Sequence, residues 1–217
     1  MQPFTLRTPR LLLDELRADD AQAVYDYCQD PEFEKYLTIP WPYHLSDARY
    51  FITEYVPRGW ASGEELSWGL RTPAGDLVGV VGLRSKLGRF DIGFWLGAQH
   101  RGHGYMPEAV RAVLDWAFST GFADEISWEC IAGNLASASV ARKLGFTFGG
   151  VRPSVLPARD GSHPESWHAL LRASDDRSLK PGWPLPAPGA APAPGSTPAP
   201  GATPAPGAAQ NEGDTHR

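Results

Sequence analysis

The chain has 217 residues, a formal net charge of −5 and two cysteines. The negative charge argues mildly against nucleic acid as a partner, and two cysteines are too few for a disulfide framework. No run of about eighteen apolar residues could span a membrane and no basic-then-apolar pattern opens the chain, so we expect a cytoplasmic protein without a membrane partner.

Composition divides the chain into two parts. We expect residues 1–177 to form one folded domain, because about 175 residues are enough to bury a substantial core. Residues 178–217 are rich in Pro, Ala and Gly, and 186–209 consists of four hexads that each begin PAPG. Such a segment buries too little to offset its ordering entropy, which predicts a disordered tail partly in polyproline II. The alternative is a docking segment for a proline-reading partner, although the repeats lack flanking aromatic or basic residues.

In chain order, the first half of the folded part predicts one short strand, two helices and a strand hairpin. A strand at 11–13 precedes a helix over 21–29, and an Asp-Pro pair ends that helix because the residue before proline avoids helical geometry. A second helix is expected over 47–60, after a stiff aromatic loop. A Pro-Ala-Gly-Asp turn then joins two strands, 66–71 and 77–83.

The second half predicts strands that alternate with helices. Strand 90–96 is apolar on both faces, which is typical of a central strand. The elements expected after it are helix 106–120, strand 126–131, helix 136–144, strand 146–151 and strand 167–172. Hairpin strands followed by alternating strands and helices indicate an α+β, three-layer fold, with a mixed and mostly antiparallel sheet of about six or seven strands and about four helices.

The turn after strand 90–96 carries the strongest functional signal. Gln99, Gly102 and Gly104 stand between a strand and a helix in the order Gln-x-x-Gly-x-Gly. Glycines let the backbone approach a ligand closely, and the first N–H groups of the helix point at an anion with the positive end of the helix dipole behind them. Neither the Walker spacing nor the dinucleotide fingerprint is present. We therefore expect a phosphate-bearing ligand here.

This turn resembles the pyrophosphate loop of the GCN5-related N-acetyltransferase (GNAT) superfamily, which binds acyl-CoA. Other segments are similar to the superfamily, and in particular to its RimJ/RimL-type ribosomal-protein N-acetyltransferase branch: LRTPRLLL at 6–13, CQDPE at 28–32, NLASASVARKLGF at 134–146 and WHALLR at 167–172. The resemblance covers about residues 4–173, with its motifs in family order. It implies the GNAT fold and acetyl-CoA as co-substrate, and dimers are usual among relatives, so a homodimer is compatible with it.

The resemblance also implies which residues bind the cofactor. These are Trp95, Leu96, Gln99, Arg101, Gly102, His103, Gly104, Tyr105, Asn134 and Lys143. Arg101 is expected to complement the pyrophosphate. Asn134 is expected to contact the pantetheine arm or a backbone turn. Lys143 or Arg142 is expected to reach the adenosine 3′-phosphate, and the alternative for each is a solvated helix cation.

Two histidines and one glutamate flank the same turn. His100 and His103 have the spacing of a metal-binding pair, but no third ligand is near in the sequence, so we expect them beside the phosphates and predict no metal. Glu108 lies in the first turn of the following helix, where an acidic residue ordinarily offsets the helix dipole.

Acyl transfer from a thioester to an amine requires few chemical groups, namely a proton acceptor for the amine and a proton donor for the departing thiolate. Asp91 is the candidate base, in a register similar to that of the acidic residue in histone-acetylating relatives, directly or through a water. The alternative is a strand carboxylate paired with Arg84 or Arg89. Ser137 is the candidate acid, as the RimL type implies, and the alternative is a hydroxyl that bonds its own helix backbone.

Aromatic residues of the first helices and of the hairpin are expected to bind the acceptor. They are Tyr36, Trp41 and Trp68, with Tyr43, His44 and Trp60 as further candidates, and the alternative for each is a core position. The acceptor is expected to be a primary amine, of a protein N-terminus or of a small molecule, that attacks the thioester directly in a ternary complex. The alternatives are another short acyl donor such as succinyl-CoA, and a non-catalytic acyl-CoA sensor.

Overall fold

The computed structural model describes residues 1–86 and 89–184. The strands in this part of the chain are β1 Leu6–Arg7, β2 Leu12–Asp14, β3 Glu65–Arg71, β4 Leu77–Lys86, β5 Arg89–Leu96, β6 Glu125–Ile131, β7 Thr147–Pro153 and β8 Glu165–Arg172. The helices are α1 Ala21–Tyr27, α2 Pro31–Tyr36, α3 Leu45–Tyr50, α4 Val56–Ser62, α5 Tyr105–Ser119 and α6 Leu135–Lys143. A π-helical turn, Phe51–Tyr55, joins α3 to α4 in one continuous helix.

All described strands belong to one sheet, in the order β1-β2-β3-β4-β5-β6-β8-β7. Neighbouring strands are antiparallel except β5 and β6, so the predicted α+β class and mixed, mostly antiparallel sheet are confirmed. The sheet has eight strands in the described part of the chain, where about seven at most were expected. The difference arises because the two-residue β1 pairs with β2 through Leu6 and Leu13.

The sheet opens between β5 and β6. Their parallel pairing consists of Phe90 with Ile126 and Asp91 with Ser127, and no later residue of β5 is paired with β6. The Ser127 hydroxyl reinforces the start of this pairing by donating to the Phe90 carbonyl at 2.9 Å. From Ile92 onward, the edge of β5 that faces β6 therefore lacks a ladder partner, which creates a cleft in the middle of the sheet.

The helix α2 corrects one prediction. The Asp30-Pro31 pair was expected to end a helix, but it begins a new one, because the Asp30 carboxylate accepts from Glu32 N at 3.0 Å and caps it. Proline is well suited to the first helical position, where its missing N–H has no partner to lose. The preceding helix ends earlier than expected, at Tyr27.

An aromatic cluster forms the core next to the N-terminus. Phe4 contacts Trp60 and Trp68 edge to face, with ring centroids 5.5 Å apart in each pair. The indole N–H of Trp68 donates to the Phe4 carbonyl, and that of Trp60 donates to the Ser67 carbonyl, both at 3.0 Å. Trp68 is fully buried, so its predicted contact with the acceptor is corrected to a role in the core.

A buried ion network joins β2, β3 and the start of α1. The Arg71 guanidinium lies 2.7 Å from carboxylate oxygens of both Asp14 and Asp20, and it also donates to the Glu15 carbonyl at 3.2 Å. Burial alone would raise the pKa of Asp20, but the hydrogen bond and charge of Arg71 outweigh it, so the pKa lies below its ordinary value. The network is a structural clamp away from the cleft between β5 and β6.

Packing continues past residue 177, where the folded part was expected to end. Trp183 is buried, its ring lies 5.5 Å from that of Trp128 and 5.3 Å from that of Phe148, and its N–H donates to the Phe146 carbonyl at 3.3 Å. The rest of the predicted tail, 185–217, lies outside the described residues, and its disorder stays a prediction. Within 1–86 and 89–184, no helix is both long and apolar enough to cross a membrane.

Candidate active site

A cavity of about 450 Å³ occupies the cleft between β5 and β6. β5 contributes Ile92 to Trp95 to its wall, and β6 contributes Trp128 to Ile131. The start of α6 closes one side with Asn134 and Ser137. The cavity extends under the loop between α2 and α3, the π-helical turn and the loop between β7 and β8.

The predicted glycine turn lies at the carboxyl end of β5, directly before α5. Gly102 and Gly104 adopt φ angles of 82° and 76°, in the left-handed region that non-glycine residues avoid. Gly104 is the residue that precedes the first turn of α5, and it has no side chain with which to cap the helix. The free N–H groups at the start of this 15-residue helix are therefore available to an anion.

The Arg101 side chain has three contacts within the protein. Its guanidinium is 2.5 Å from the Asp30 carboxylate, donates to the Leu96 carbonyl at 3.2 Å and lies over the ring of Phe33. These contacts neutralise the cation and fasten the glycine turn to the start of α2. The expected contact of Arg101 with a pyrophosphate stays a prediction beside this bracing contact with Asp30.

The two histidines of the turn face different surroundings. The Tyr27 hydroxyl donates to the Leu77 carbonyl at 2.7 Å and lies 3.0 Å from Nε2 of His100. Since the single proton of that hydroxyl is donated to Leu77, Nε2 of His100 is the donor to the Tyr27 oxygen. Burial lowers the pKa of His100. His103 is exposed and stacks on Tyr105 at 5.6 Å. Within the described residues, no group of three His, Cys, Asp or Glu side chains could hold a metal.

Glu108 binds the turn between β1 and β2. Its carboxylate accepts from the Thr8 hydroxyl at 2.6 Å and from the Arg10 backbone N–H at 3.0 Å, and it forms a salt bridge of 2.6 Å with the Arg10 guanidinium. Burial would raise the pKa of Glu108, but these hydrogen bonds hold it below its usual value. Because Arg10 also donates to the His103 carbonyl at 2.9 Å, Glu108 positions the glycine turn as well as facing the helix dipole.

Of the two candidate catalytic residues, Asp91 is held in an ion pair. It is 3% exposed, its carboxylate lies 2.5 Å from Nη2 of Arg84, and it is not among the described residues that line the cavity, whereas Arg84 is. The guanidinium lies close over Gly93, where a Cβ atom would come within 2.8 Å of Nη2. This is the arrangement of the paired strand carboxylate that the sequence left open as an alternative.

Ser137 lines the cavity and keeps its own proton available. Its hydroxyl oxygen accepts from the Trp128 indole N–H at 3.2 Å, and its backbone N–H donates to the Asn134 side chain at 3.0 Å. Asn134 thus caps α6, which is the backbone-turn alternative for this residue, while it also lines the cavity. Lys143 is exposed at the other end of the same helix.

Cys130 and Glu129 also line the cavity. The Cys130 thiol is not in the thiolate form that a nucleophile requires. Burial, followed by the nearby charge of Glu129, raises the pKa of Cys130 to about 12, so the thiol stays protonated at neutral pH. The thiol donates to the Asn134 carbonyl at 3.8 Å. The Glu129 carboxylate accepts from Val155 N at 3.0 Å and so anchors the loop between β7 and β8.

Of the three predicted acceptor residues, Tyr36 lines the cavity, and its hydroxyl donates to the Gly133 carbonyl at 3.1 Å. Trp41 packs against the core and Trp68 lies within it. Sequence reasoning missed a second set of lining residues: Tyr50, Phe51, Tyr55, Glu65, Ser67 and Arg84. The polar alternation of Glu65 and Ser67 along β3, which places both on one face, was the signal that could have found part of this set.

Comparison with known proteins gives one family and one fold. Residues 10–147 match the acetyltransferase (GNAT) domain model. The N-acetyltransferase p20 of Bacillus licheniformis, itself uncharacterized, is 28% identical over 148 residues, or 65% of this chain and 82% of that protein.

Solved structures that share the fold include two acetyltransferases. One is the Salmonella typhimurium acetyltransferase that modifies the N-terminal serine of ribosomal protein L7/L12, with a TM-score of 0.68 and 16% identity over 78% of this chain and 99% of that one. The other is the microcin C7 self-immunity acetyltransferase MccE in complex with acetyl-CoA and AMP, with a TM-score of 0.66 and 21% identity over 76% of this chain and 93% of that one.

Proposed function

This chain belongs to the acetyltransferase (GNAT) family, and we propose that it transfers an acetyl group from acetyl-CoA to a primary amine, which attacks the thioester directly in a ternary complex. Family membership confirms the resemblance seen in the sequence, the GNAT fold and the assignment as an N-acetyltransferase. The acetyl donor and the acceptor amine are the parts that the proposal adds.

The observation that carries the proposal is the unpaired edge of β5 next to an uncapped helix. Beyond Asp91 the backbone of β5 has no partner on β6, and its carboxyl end leads into the glycine turn and the start of α5. A ligand with phosphates at one end and an extended, amide-containing arm would place the phosphates at α5 and hydrogen-bond its arm to β5 as an added strand. Coenzyme A has this chemistry, and MccE was solved with acetyl-CoA.

In this arrangement, Ser137 is the proposed proton donor to the departing thiolate. In the hydrogen bond with Trp128 the indole N–H is the donor, so the Ser137 hydroxyl proton is not engaged there. Asp91 is proposed to position Arg84 rather than to contact the amine, because its carboxylate is buried in their ion pair. Positioning two substrates in one cleft supplies much of the remaining rate enhancement.

Isothermal titration with acetyl-CoA, succinyl-CoA and CoA tests the cofactor assignment. We expect micromolar binding of acetyl-CoA and CoA that Gly104→Trp abolishes. Gly121→Trp is the matched control, because Gly121 has a φ of 68° and open space around it at the opposite end of α5. Tighter binding of succinyl-CoA than of acetyl-CoA would indicate that succinyl, not acetyl, is the transferred group. Absence of binding to all three compounds would contradict the proposal.

A further inference from the structure

The end of the cavity under the π-helical turn contains a carboxylate held for a ligand. We propose that Glu65 binds the ammonium group of a small acceptor amine that lacks a carboxylate, and that it accepts the proton this nitrogen loses before attack. The inference rests on the proposed acetyl transfer and names the acceptor class and the base for it.

Glu65 is oriented by two hydroxyl groups. Its Oε2 accepts from the Tyr55 hydroxyl at 2.6 Å and its Oε1 from the Ser67 hydroxyl at 3.3 Å. Burial, together with the bond to Glu65, raises the pKa of Tyr55 to about 12, so the phenol stays a donor at neutral pH. Each carboxylate oxygen has two acceptor positions, so each keeps one for a ligand after these bonds are made.

On the neighbouring strands, Glu65 and Asp91 share one cation, Arg84. Glu65 lies opposite Arg84 in the pairing of β3 with β4, and Arg84 lies opposite Asp91 in the pairing of β4 with β5. Arg84 forms its 2.5 Å ion pair with Asp91. The short contact of Arg84 is thus with Asp91 rather than with Glu65, and an ammonium group at Glu65 would bring a second cation to this carboxylate.

The remaining lining of the cavity also favours a positively charged ligand. Asp47, Glu65 and Glu129 contribute carboxylates, and Arg84 is the one Lys or Arg side chain among the described residues that line it. A carboxylate on the acceptor would meet repulsion from this excess of negative charge. The cavity therefore favours an amine without a carboxylate over an amino acid of the same skeleton.

Aromatic side chains flank the carboxylate at the mouth of the cavity. Tyr50 is 53% exposed and Tyr55 43% exposed, although both have large aromatic rings. Phe51 stacks on Tyr55 at 5.9 Å. All three lie at the π-helical turn, which precedes Pro57, a residue without the N–H that a regular helix would use. Aromatic faces next to a carboxylate attract an alkylammonium group.

The loop between β7 and β8 limits the size of the acceptor. It covers the cavity with Leu156 and Ala158, and Arg159 fastens it by donating to the carbonyls of Glu34, Leu37 and Ile39. A cavity of about 450 Å³, shared with the acyl arm, admits a small amine beneath this loop. A polypeptide N-terminus would require the loop to open.

The proton balance follows from this geometry. An alkylammonium at Glu65 gives one proton to the carboxylate, and the freed lone pair forms the C–N bond to the acetyl carbon. The C–S bond breaks, and the second proton lost by the nitrogen ends on the thiolate through the Ser137 hydroxyl. The products are the acetylated amine, the free thiol of CoA and one proton, which Glu65 releases to solvent to regenerate its carboxylate.

The test measures acetylation of two matched pairs, tyramine with tyrosine and 1,4-diaminobutane with ornithine, together with a serine-initiated peptide amide. We expect the carboxylate-free member of each pair to have a kcat/KM at least about tenfold higher, and Glu65→Gln to lower kcat by about 100-fold. Binding of acetyl-CoA by titration should not change. Glu64→Gln is the control, because this exposed neighbour does not line the cavity, and it should behave as the wild type.

The inference would be overturned by wild-type rates in Glu65→Gln, by equal use of tyrosine and tyramine, or by acetylation of the peptide alone. Binding of acetyl-CoA by a wild type that acetylates none of the carboxylate-free amines would also overturn it. Failure of the wild type to bind acetyl-CoA is a different result, because it would contradict the proposed function itself.

Discussion

Arg10 and Glu108 form a salt bridge of 2.6 Å between the turn that follows β1 and the first turn of α5. The same guanidinium donates to the His103 carbonyl at 2.9 Å, so the pair connects the N-terminus of the chain to the glycine turn. The turn is thus held from two sides, by Arg10 on one and by the contact of Arg101 with Asp30 on the other.

The first prediction concerns this brace. Glu108→Gln removes the charge that holds Arg10, which loosens the glycine turn, and we expect the Kd for acetyl-CoA to rise about tenfold, or ~1.4 kcal/mol. Asp115→Asn is the control, since Asp115 forms a comparable salt bridge of 3.3 Å with Arg177 elsewhere on α5. Titration of both variants decides the point, and an unchanged Kd in Glu108→Gln would show that the brace does not position the turn.

The second prediction concerns Ser137. Ser137→Ala removes the proposed proton donor, and we expect kcat to fall about 10- to 100-fold with an unchanged Kd for acetyl-CoA. Because the change also leaves the Trp128 N–H without its acceptor, Ser137→Thr, which retains a hydroxyl, should recover part of the rate. Ser139→Ala on the same helix is the control. A wild-type kcat in Ser137→Ala would contradict the proton-donor role and leave Ser137 with a structural role at the start of α6.

The third prediction concerns the buried clamp around Arg71. Asp20→Asn leaves Arg71 with one anionic partner fewer, and we expect a loss of about 3 kcal/mol in the free energy of unfolding at pH 7. Since the folded-state pKa of Asp20 is lowered, its contribution is present above about pH 4 and is lost as the pH falls through that lower value. Urea unfolding at pH 7 and pH 3 should therefore show a smaller difference from the wild type at pH 3.

Asp19→Asn, at the adjacent exposed residue, is the control for the clamp. Its free energy of unfolding should match that of the wild type at both pH values. A destabilisation of Asp20→Asn that is equally large at pH 3 and pH 7 would mean that the charge of the carboxylate is not what matters.

The fourth prediction concerns the C-terminal boundary. Trp183→Ala removes a buried indole from between Trp128 and Phe148, and we expect a loss of about 3 kcal/mol in the free energy of unfolding. Deletion of 185–217 should leave the Tm unchanged, because the composition of that segment predicts no packed structure. Thermal unfolding of both variants checks this. A large drop in Tm on deletion would contradict the predicted disorder of the tail.

Local patterns predicted most of the fold. The alternation in strand 90–96 and the periodicity of helix 106–120 depend on neighbouring residues, and both elements are present within a residue of their expected ends. The glycine turn is local in the same sense, since its positive φ angles are a property of Gly102 and Gly104 themselves. The short α2 was missed because an Asp-Pro pair begins helices as well as ending them.

Contacts between distant residues were not predictable in this way. The partner of Arg101 is Asp30, and that of Glu108 is Arg10, and neither spacing has a periodic signal. Trp68 was proposed for the acceptor site because it is aromatic, but its position on β3 places it in the core. Glu65 lies on that same strand, and its exposure to the cavity depends on where the π-helical turn and β4 are placed.

The central claim is transfer of an acetyl group from acetyl-CoA to a primary amine, and release of the CoA thiol tests it most directly. Wild-type protein is incubated with acetyl-CoA and tyramine, free thiol is measured continuously, and the amine is analysed by mass spectrometry. We predict thiol release that depends on tyramine, with one acetyl group gained by the amine for each thiol released. Tight binding of acetyl-CoA with no thiol release for any amine would contradict the claim and identify a sensor instead.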